Sequence, residues 1–338
     1  MPHLAAPPDA EATAGAGRLA ARLAGVSRVY AGTGRQPPVH ALGPLDLELS
    51  QGEFFAVVGP SGCGKSTLLD VLAGLSPPTS GTVEFEGRPV TDRVPEGVGV
   101  VFQDDASFHW LTVRDNAAFG LRRQGVSERE IAERVDHAIT FMGLKAFAAA
   151  YPAQLSGGMR QRLCIARTLV LRPRLLLLDE PFGALDQQTR LLMGDEVLRL
   201  WRETGATVLL ITHALDEATM LADRVGVMSA RPGHFIDVVT TGWPRERDST
   251  IVARPEFGEV TARLWAQLRA ESIKAMGADI RGAGPPQGAN GTPAGGSAVA
   301  PAASVGADIR AAGPPQGANG TPAGGSAAAP AASVGADK

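Results

Sequence analysis

Apolar positions along the chain fall into two patterns. EFFAVVG (53–59), RLLLLD (174–179) and ATVLLIT (206–212) are apolar runs without alternation. Such runs predict central strands covered on both faces. TVEFEG (82–87), GVGVVFQ (97–103) and ADRVGVMS (222–229) predict further strands. Helical periodicity separates them. From Ser127 to Met142, residues Ile131, Val135, Ile139 and Met142 share one face, and Ser127 with Glu130 forms a capping box at the start. From 187 to 204, Leu191, Leu198 and Trp201 share another face. Strands alternating with helices predict an α/β core. Residues 104–165 lack strong strands and read as a helical insert.

Both ends differ from this middle. The first 20 or so residues are rich in Ala, Pro and Gly and are expected to be disordered. GADIRGAGPPQGANGTPAGGSAVAPAASV (277–305) recurs almost unchanged at 306–334. The repeat has no aromatic residue and no Leu, so it cannot bury enough apolar area to offset ordering entropy. It is expected to be a duplicated disordered tail.

Composition removes several function classes. The formal net charge of −3 offers no sequence-independent grip on nucleic acid. No apolar run approaches the roughly 20 residues of a membrane span. The start, MPHLAAPPDAEATAGAG, lacks the basic and apolar regions of a secretion signal. Cys63 and Cys164 make no metal-ligand spacing, and the expected setting is reducing and cytoplasmic.

Three stretches carry chemistry. GPSGCGKST (Gly59, Pro60, Ser61, Gly62, Cys63, Gly64, Lys65, Ser66, Thr67) fits the phosphate-binding G-x-x-x-x-G-K-[ST] loop, with an apolar strand before it and an apolar helix after. Its glycines let backbone N–H groups close around phosphate oxygens. Lys65 supplies a point charge to the outer phosphates, and the Ser66 hydroxyl suits Mg²⁺. LLLLDE (175–180) ends a predicted buried strand with Asp179, suited to the metal, and Glu180, suited to orienting or deprotonating water. LSGGMRQR (155–162) has the build of a helix N-terminus capped by Ser156, with Gly157 and Gly158 permitting close approach of a phosphate. From these residues alone, it is either a plain cap or a second anion site serving a nucleotide held by another copy of the chain.

With Gln103, GALD (183–186) and His213, these stretches resemble the nucleotide-binding domain of ABC transporters over about residues 22–270. The resemblance implies a P-loop NTPase core of ABC type, with an antiparallel β subdomain and an inserted helical subdomain. It implies ATP and Mg²⁺ as cofactors. It also implies a head-to-tail homodimer, in which Ser156, Gly157 and Gly158 complete the partner's ATP site. Met159 stands where that family most often has Gln. Tyr30 takes the place of the aromatic that stacks on adenine. Gln103 takes that of the Q-loop residue touching Mg²⁺ and water, Asp186 that of the D-loop aspartate, and His213 that of the switch histidine at the γ-phosphate.

FHWLTVRDNAAFGL (108–121) is similar to the importer segment that receives a coupling helix of the membrane subunit, with Phe108 and Trp110 as apolar anchors and His109 in place of the usual Pro. DEPFGALDQQTR, LITHALDEATMLADRVGVMSARPGHF and WPRERDSTIVARPEFGEVTARLWAQL (243–268) resemble the nitrate/sulfonate/taurine importer branch. The resemblance implies an importer ATPase at the cytoplasmic face of the membrane. Its partners would be permease subunits and, indirectly, an extracytoplasmic solute-binding protein. The expected boundaries are a leader to about 20, an ATPase domain at 21–245, a helical extension at 246–276 and the tail from 277. A soluble ABC-type ATPase, not coupled to transport, is the alternative. An intact Lys65, Glu180 and His213 argue against a third reading, a non-catalytic nucleotide sensor.

Overall fold

The computed structural model describes residues 18–282 except 33, 35, 36, 92 and 184, with side chains as far as residue 275. Most of the repeated tail and nearly all of the N-terminal leader lie outside the described residues.

The chain opens with a long hairpin, β1 (Leu19–Tyr30) and β2 (Val39–Ser50). Then come β3 (Phe54–Val58), α1 (Lys65–Leu72), β4 (Ser80–Phe85), β5 (Arg88–Pro89) and β6 (Val98–Val101). Helices α2 (Val113–Arg123), α3 (Glu128–Phe141) and α4 (Gly157–Leu169) follow. The rest alternates: β7 (Leu175–Asp179), α5 (Gln187–Thr204), β8 (Thr207–Ile211), α6 (Leu215–Leu221), β9 (Arg224–Met228), β10 (Phe235–Thr240) and α7 (Pro255–Gly282). Helix α7 thus runs past residue 276 into the first copy of the repeat.

The strands make two sheets. One is antiparallel, in the order β2-β1-β4-β5. The other runs β10-β9-β3-β8-β7-β6 and is parallel from β9 to β6, with β10 antiparallel at the edge. Every residue of β3, β7 and β8 is buried, as unalternating apolar runs require.

Strand geometry sends successive side chains to opposite faces, so this sheet serves two cores. Phe55, Val57, Leu175, Leu177, Leu209 and Ile211 point toward α1 and the antiparallel sheet. Phe54, Ala56, Leu176, Leu178, Val208 and Leu210 pack under the helices on the other side.

The strand pattern read from the sequence missed β1, β2, β5 and β10. β2 has the signal, since Leu45, Leu47 and Leu49 alternate buried with exposed neighbours. In β1 the signal is broken: register shifts flank Val26, and Gly25 takes a φ of 59°. At α3, Ser127 caps as expected, accepting from Glu130 N at 3.3 Å. The reciprocal half of the box does not form, because the Glu130 carboxylate pairs with Arg134 instead.

C-terminal to the sheet, Arg247 reaches back into the core. Its side chain is fully buried, donates to Asp223 at 2.7 Å and lies 4.7 Å from the Trp201 ring centre. Asp223 also accepts from Phe54 N at 2.9 Å, so one carboxylate ties this segment to the start of β3. Removing the guanidinium leaves Asp223, a third exposed, without its cation, and strips a donor from the Leu221 and Pro244 carbonyls. Arg247→Ala is therefore expected to lower stability by about 1–3 kcal/mol, measured by urea denaturation.

Candidate nucleotide site

The phosphate loop leaves the buried end of β3 and turns into α1. Gly64 closes the turn at φ 111°, and a Cβ there would lie 2.6 Å from the Ala41 carbonyl oxygen, so only glycine fits. Lys65 begins the helix. Its buried ammonium donates to the carbonyls of Gly59 at 2.9 Å and Pro60 at 3.0 Å, leaving one of its three N–H groups for an anion. The Cys63 thiol is buried behind the loop, and burial pushes its pKa up, so it stays neutral.

At the end of β7 the chemistry converges. Asp179 is buried beside Ser66, and its Oδ1 has no hydrogen-bond partner. Burial raises its pKa. The Ser66 hydroxyl pulls the other way, while Glu180 and Asp70 add to the rise. Glu180 takes a left-handed φ of 45° while its N–H donates to Ile211 at 2.9 Å. Its Oε2 accepts from Gln103 Nε2 at 3.2 Å and lies 3.1 Å from His213 Nδ1. Gln103 and His213, from two other segments, thus meet on one carboxylate oxygen of Glu180. Glu180 is mostly enclosed, its side chain 19% exposed, whereas His213 is 62% exposed.

Behind His213 lies a group that sequence reading missed. Glu217 is buried, accepts from Thr212 Oγ1 at 2.6 Å and pairs with Arg190 at 3.1 Å. Burial raises its pKa against the pull of Thr212 and Arg190. The Thr212 hydroxyl accepts from Ala214 N at 3.0 Å, fixing the backbone on either side of His213. Arg190 also donates to the Leu185 carbonyl at 3.1 Å, so the loops bearing His213 and Asp186 share one buried carboxylate. In sequence, an acid four residues after a histidine in a polar run looks like an ordinary solvated charge.

The remaining candidates lie at the periphery. Tyr30, at the end of β1, is half-exposed with its hydroxyl 3.5 Å from Thr67 Oγ1, and Arg28 covers one ring face at 4.7 Å. Ser156 caps α4, accepting from Met159 N at 3.3 Å. A Cβ on Gly158 would lie 2.6 Å from Leu185 Cδ2, so the start of α4 packs on the loop before α5. Asp186 caps α5 from a fully exposed position, and its bonds from the Thr189 hydroxyl and N–H hold its carboxyl below the usual range. Among the described residues, no hydrogen bond joins Ser156, Gly157, Gly158 or Asp186 to the phosphate loop, Asp179 or Glu180.

Residues 42–183 match the ABC transporter family model. The nitrate import ATP-binding protein NrtD of Synechocystis sp. is 41% identical over 250 residues, covering 72% of this chain and 93% of the relative. The taurine import ATP-binding protein TauB of Pseudomonas aeruginosa is 45% identical over 225 residues, covering 65% and 85%. A dimeric ATP-binding cassette in a post-hydrolysis state, bound to ADP and Pi, superimposes with a TM-score of 0.60 at 29% identity, covering 66% of this chain and 100% of that one. A phosphate loop, a buried strand-end carboxylate and a glutamate held by a glutamine and a histidine, in a chain with these relatives, lead to one conclusion: the chain belongs to the ABC transporter family and is an ATP-hydrolysing ATP-binding cassette.

Proposed function

We propose that the chain is the ATPase subunit of an importer. It binds two ATP at a head-to-tail dimer interface and drives uptake of a small anion or sulfonate-like solute through a separate membrane permease. The observation carrying the hydrolytic half is the meeting of Gln103 and His213 on Glu180, at the strand end next to the phosphate loop. The relatives named for nitrate and taurine import support the transport half.

In this reading the Lys65 ammonium and the loop N–H groups hold the outer phosphates. Glu180 Oε2 is engaged by Gln103 and His213, which leaves Oε1 to accept a proton from the attacking water. His213 is exposed enough to reach the γ-phosphate. Tyr30 stacks its open ring face on adenine. Ser156, Gly157, Gly158 and Asp186 face the partner copy, which suits their separation from the loop of their own chain.

Mg²⁺ fits the residues present. The orphaned Oδ1 of Asp179 lies in a buried site beside Ser66, and the donation of Gln103 Nε2 to Glu180 leaves its Oε1 for a cation. Carboxylate, hydroxyl and amide oxygens are the ligands this hard cation takes. When bound, it would neutralise charge on the phosphates.

The permease contact is assigned to the aromatic patch at the start of α2. Trp110 is 70% exposed and stacks on Phe108 at 5.3 Å, and Phe119 meets Phe108 edge-on at 4.5 Å. Arg167 covers Phe108 at 4.4 Å and fixes its plane. Among the described residues no helix is long and apolar enough to cross a membrane, and the proposed location is peripheral, on the cytoplasmic face.

Pulldown of the tagged chain from detergent-solubilised native membranes tests the transport reading. A polytopic membrane protein at one-to-one stoichiometry supports it. Ribosomal proteins, or no membrane partner, favour a soluble ATPase instead.

Glu180→Gln is expected to keep ATP affinity while turnover falls about 10²–10⁴-fold, read from steady-state hydrolysis and nucleotide titration. Lys65→Ala is expected to lose ATP affinity in the same titration. Asp179→Asn tests the buried carboxylate by pH. A carboxyl whose folded pKa is raised costs stability as pH rises through the window above its unfolded value. In chelator-treated, nucleotide-free protein the Asn variant should therefore melt higher than the native chain at pH 7. The gap should close as pH falls toward 4.

A further inference from the structure

The segment from Ser229 to His234 joins β9 to β10 and lies behind the phosphate loop. Its Arg231 donates twice to the Gly62 carbonyl, from Nε at 3.0 Å and from Nη2 at 2.9 Å. The N–H of the same peptide, on Cys63, donates to Pro60 O at 3.3 Å. One planar peptide in the middle of the loop is thus gripped at both ends. Gly233 approaches from the same side, where a Cβ would lie 2.2 Å from the Cys63 carbonyl oxygen.

The segment has its own anchors. Gly233 N donates to Ala41 O, and Gly233 O accepts from Gly43 N, both at 3.0 Å. Ser229 and His234 bond across its base. On the far side Glu271, from α7, accepts from Ala230 N at 2.8 Å. Glu271 is only 5% exposed, which is unusual for a carboxylate without a buried partner of opposite charge, and Lys274 holds its other oxygen from the exposed side. Helix α7 is fixed in turn by buried Leu264 and Leu268 and by Arg263 and Gln267 on Asp237 of β10. A continuous line of contacts runs from the C-terminal helix through Glu271, Ala230 and Arg231 to Gly62.

We propose that Glu271 and Arg231 are positioning residues for the phosphate loop, and that the C-terminal helix sets ATP affinity through them. A loop already held in its turn pays less ordering entropy when nucleotide arrives, so the relay acts on binding rather than on the chemical step. Neither residue needs to touch ATP. The inference rests on nucleotide binding by the loop and not on transport.

The test measures ATP affinity and steady-state hydrolysis in the full chain. Arg231→Ala and Glu271→Ala are expected to raise Kd and KM for ATP by about threefold to tenfold, the scale of one charge-assisted hydrogen bond transmitted indirectly. kcat should stay within about twofold, since the interaction serves the ground and transition states alike. Glu271→Gln, whose amide oxygen still accepts from Ala230, should restore native KM. The Arg231→Ala/Glu271→Ala double variant should be no worse than Arg231→Ala alone, because the two act in series. Native KM in Arg231→Ala overturns the proposal, as does equal loss in Glu271→Gln and Glu271→Ala. So does a double variant whose loss is the product of the singles. If Glu271→Ala fails to fold, the exposed Arg231→Ala decides alone.

Discussion

Val57, Ile211 and Asp179 stand in one row across β3, β8 and β7, and the site depends on that register. The residues of the candidate site follow each of them. The phosphate loop leaves β3 just beyond Val57, Thr212 and His213 follow Ile211, and Glu180 follows Asp179. A slip of one residue in either ladder would exchange the side chains of the two cores and send Asp179 to the other face. The packing of these strands into two different cores therefore bears on the placement of the candidate site as well as on stability.

Much of this was legible in the residues. Unalternating apolar runs named the three central strands, because a strand covered on both faces has no reason to alternate. The phosphate loop was legible because glycine is required where φ reaches 111° and a backbone oxygen stands 2.6 Å from the missing Cβ. The cap at Ser156 was legible for the same local reason, an oxygen side chain before a helix start. What the residues did not show was non-local. Gln103, Glu180 and His213 lie far apart in sequence, and the family resemblance, not periodicity, brought them together before the structure did. Glu217 and Arg231 escaped both readings. Each acts by reaching across the fold to one partner, and a single charged residue in a polar loop carries no sequence mark of that reach.

The polar residues inside the protein divide into two kinds. Glu217 and Asp223 are satisfied by partners and hold segments in place. Asp179 is not satisfied: its Oδ1 has no partner, and burial works against its charge. A carboxylate kept in that condition costs stability. Its position at the end of β7, beside Ser66, puts that cost where a cation would relieve it. Nucleotide binding and folding are then linked, with the bound state the more stable one.

Cys63 adds a consequence of a different kind. Its sulfur is buried behind the loop, and a Cβ on Gly59 would lie 2.8 Å from it. A neutral, enclosed thiol is a poor nucleophile, so alkylating reagents and mild oxidants react with it only when the loop lifts off its bed. The rate at which Cys63 is labelled in native solution, followed separately from the buried Cys164 of α4, is therefore a clock for local opening of the phosphate loop.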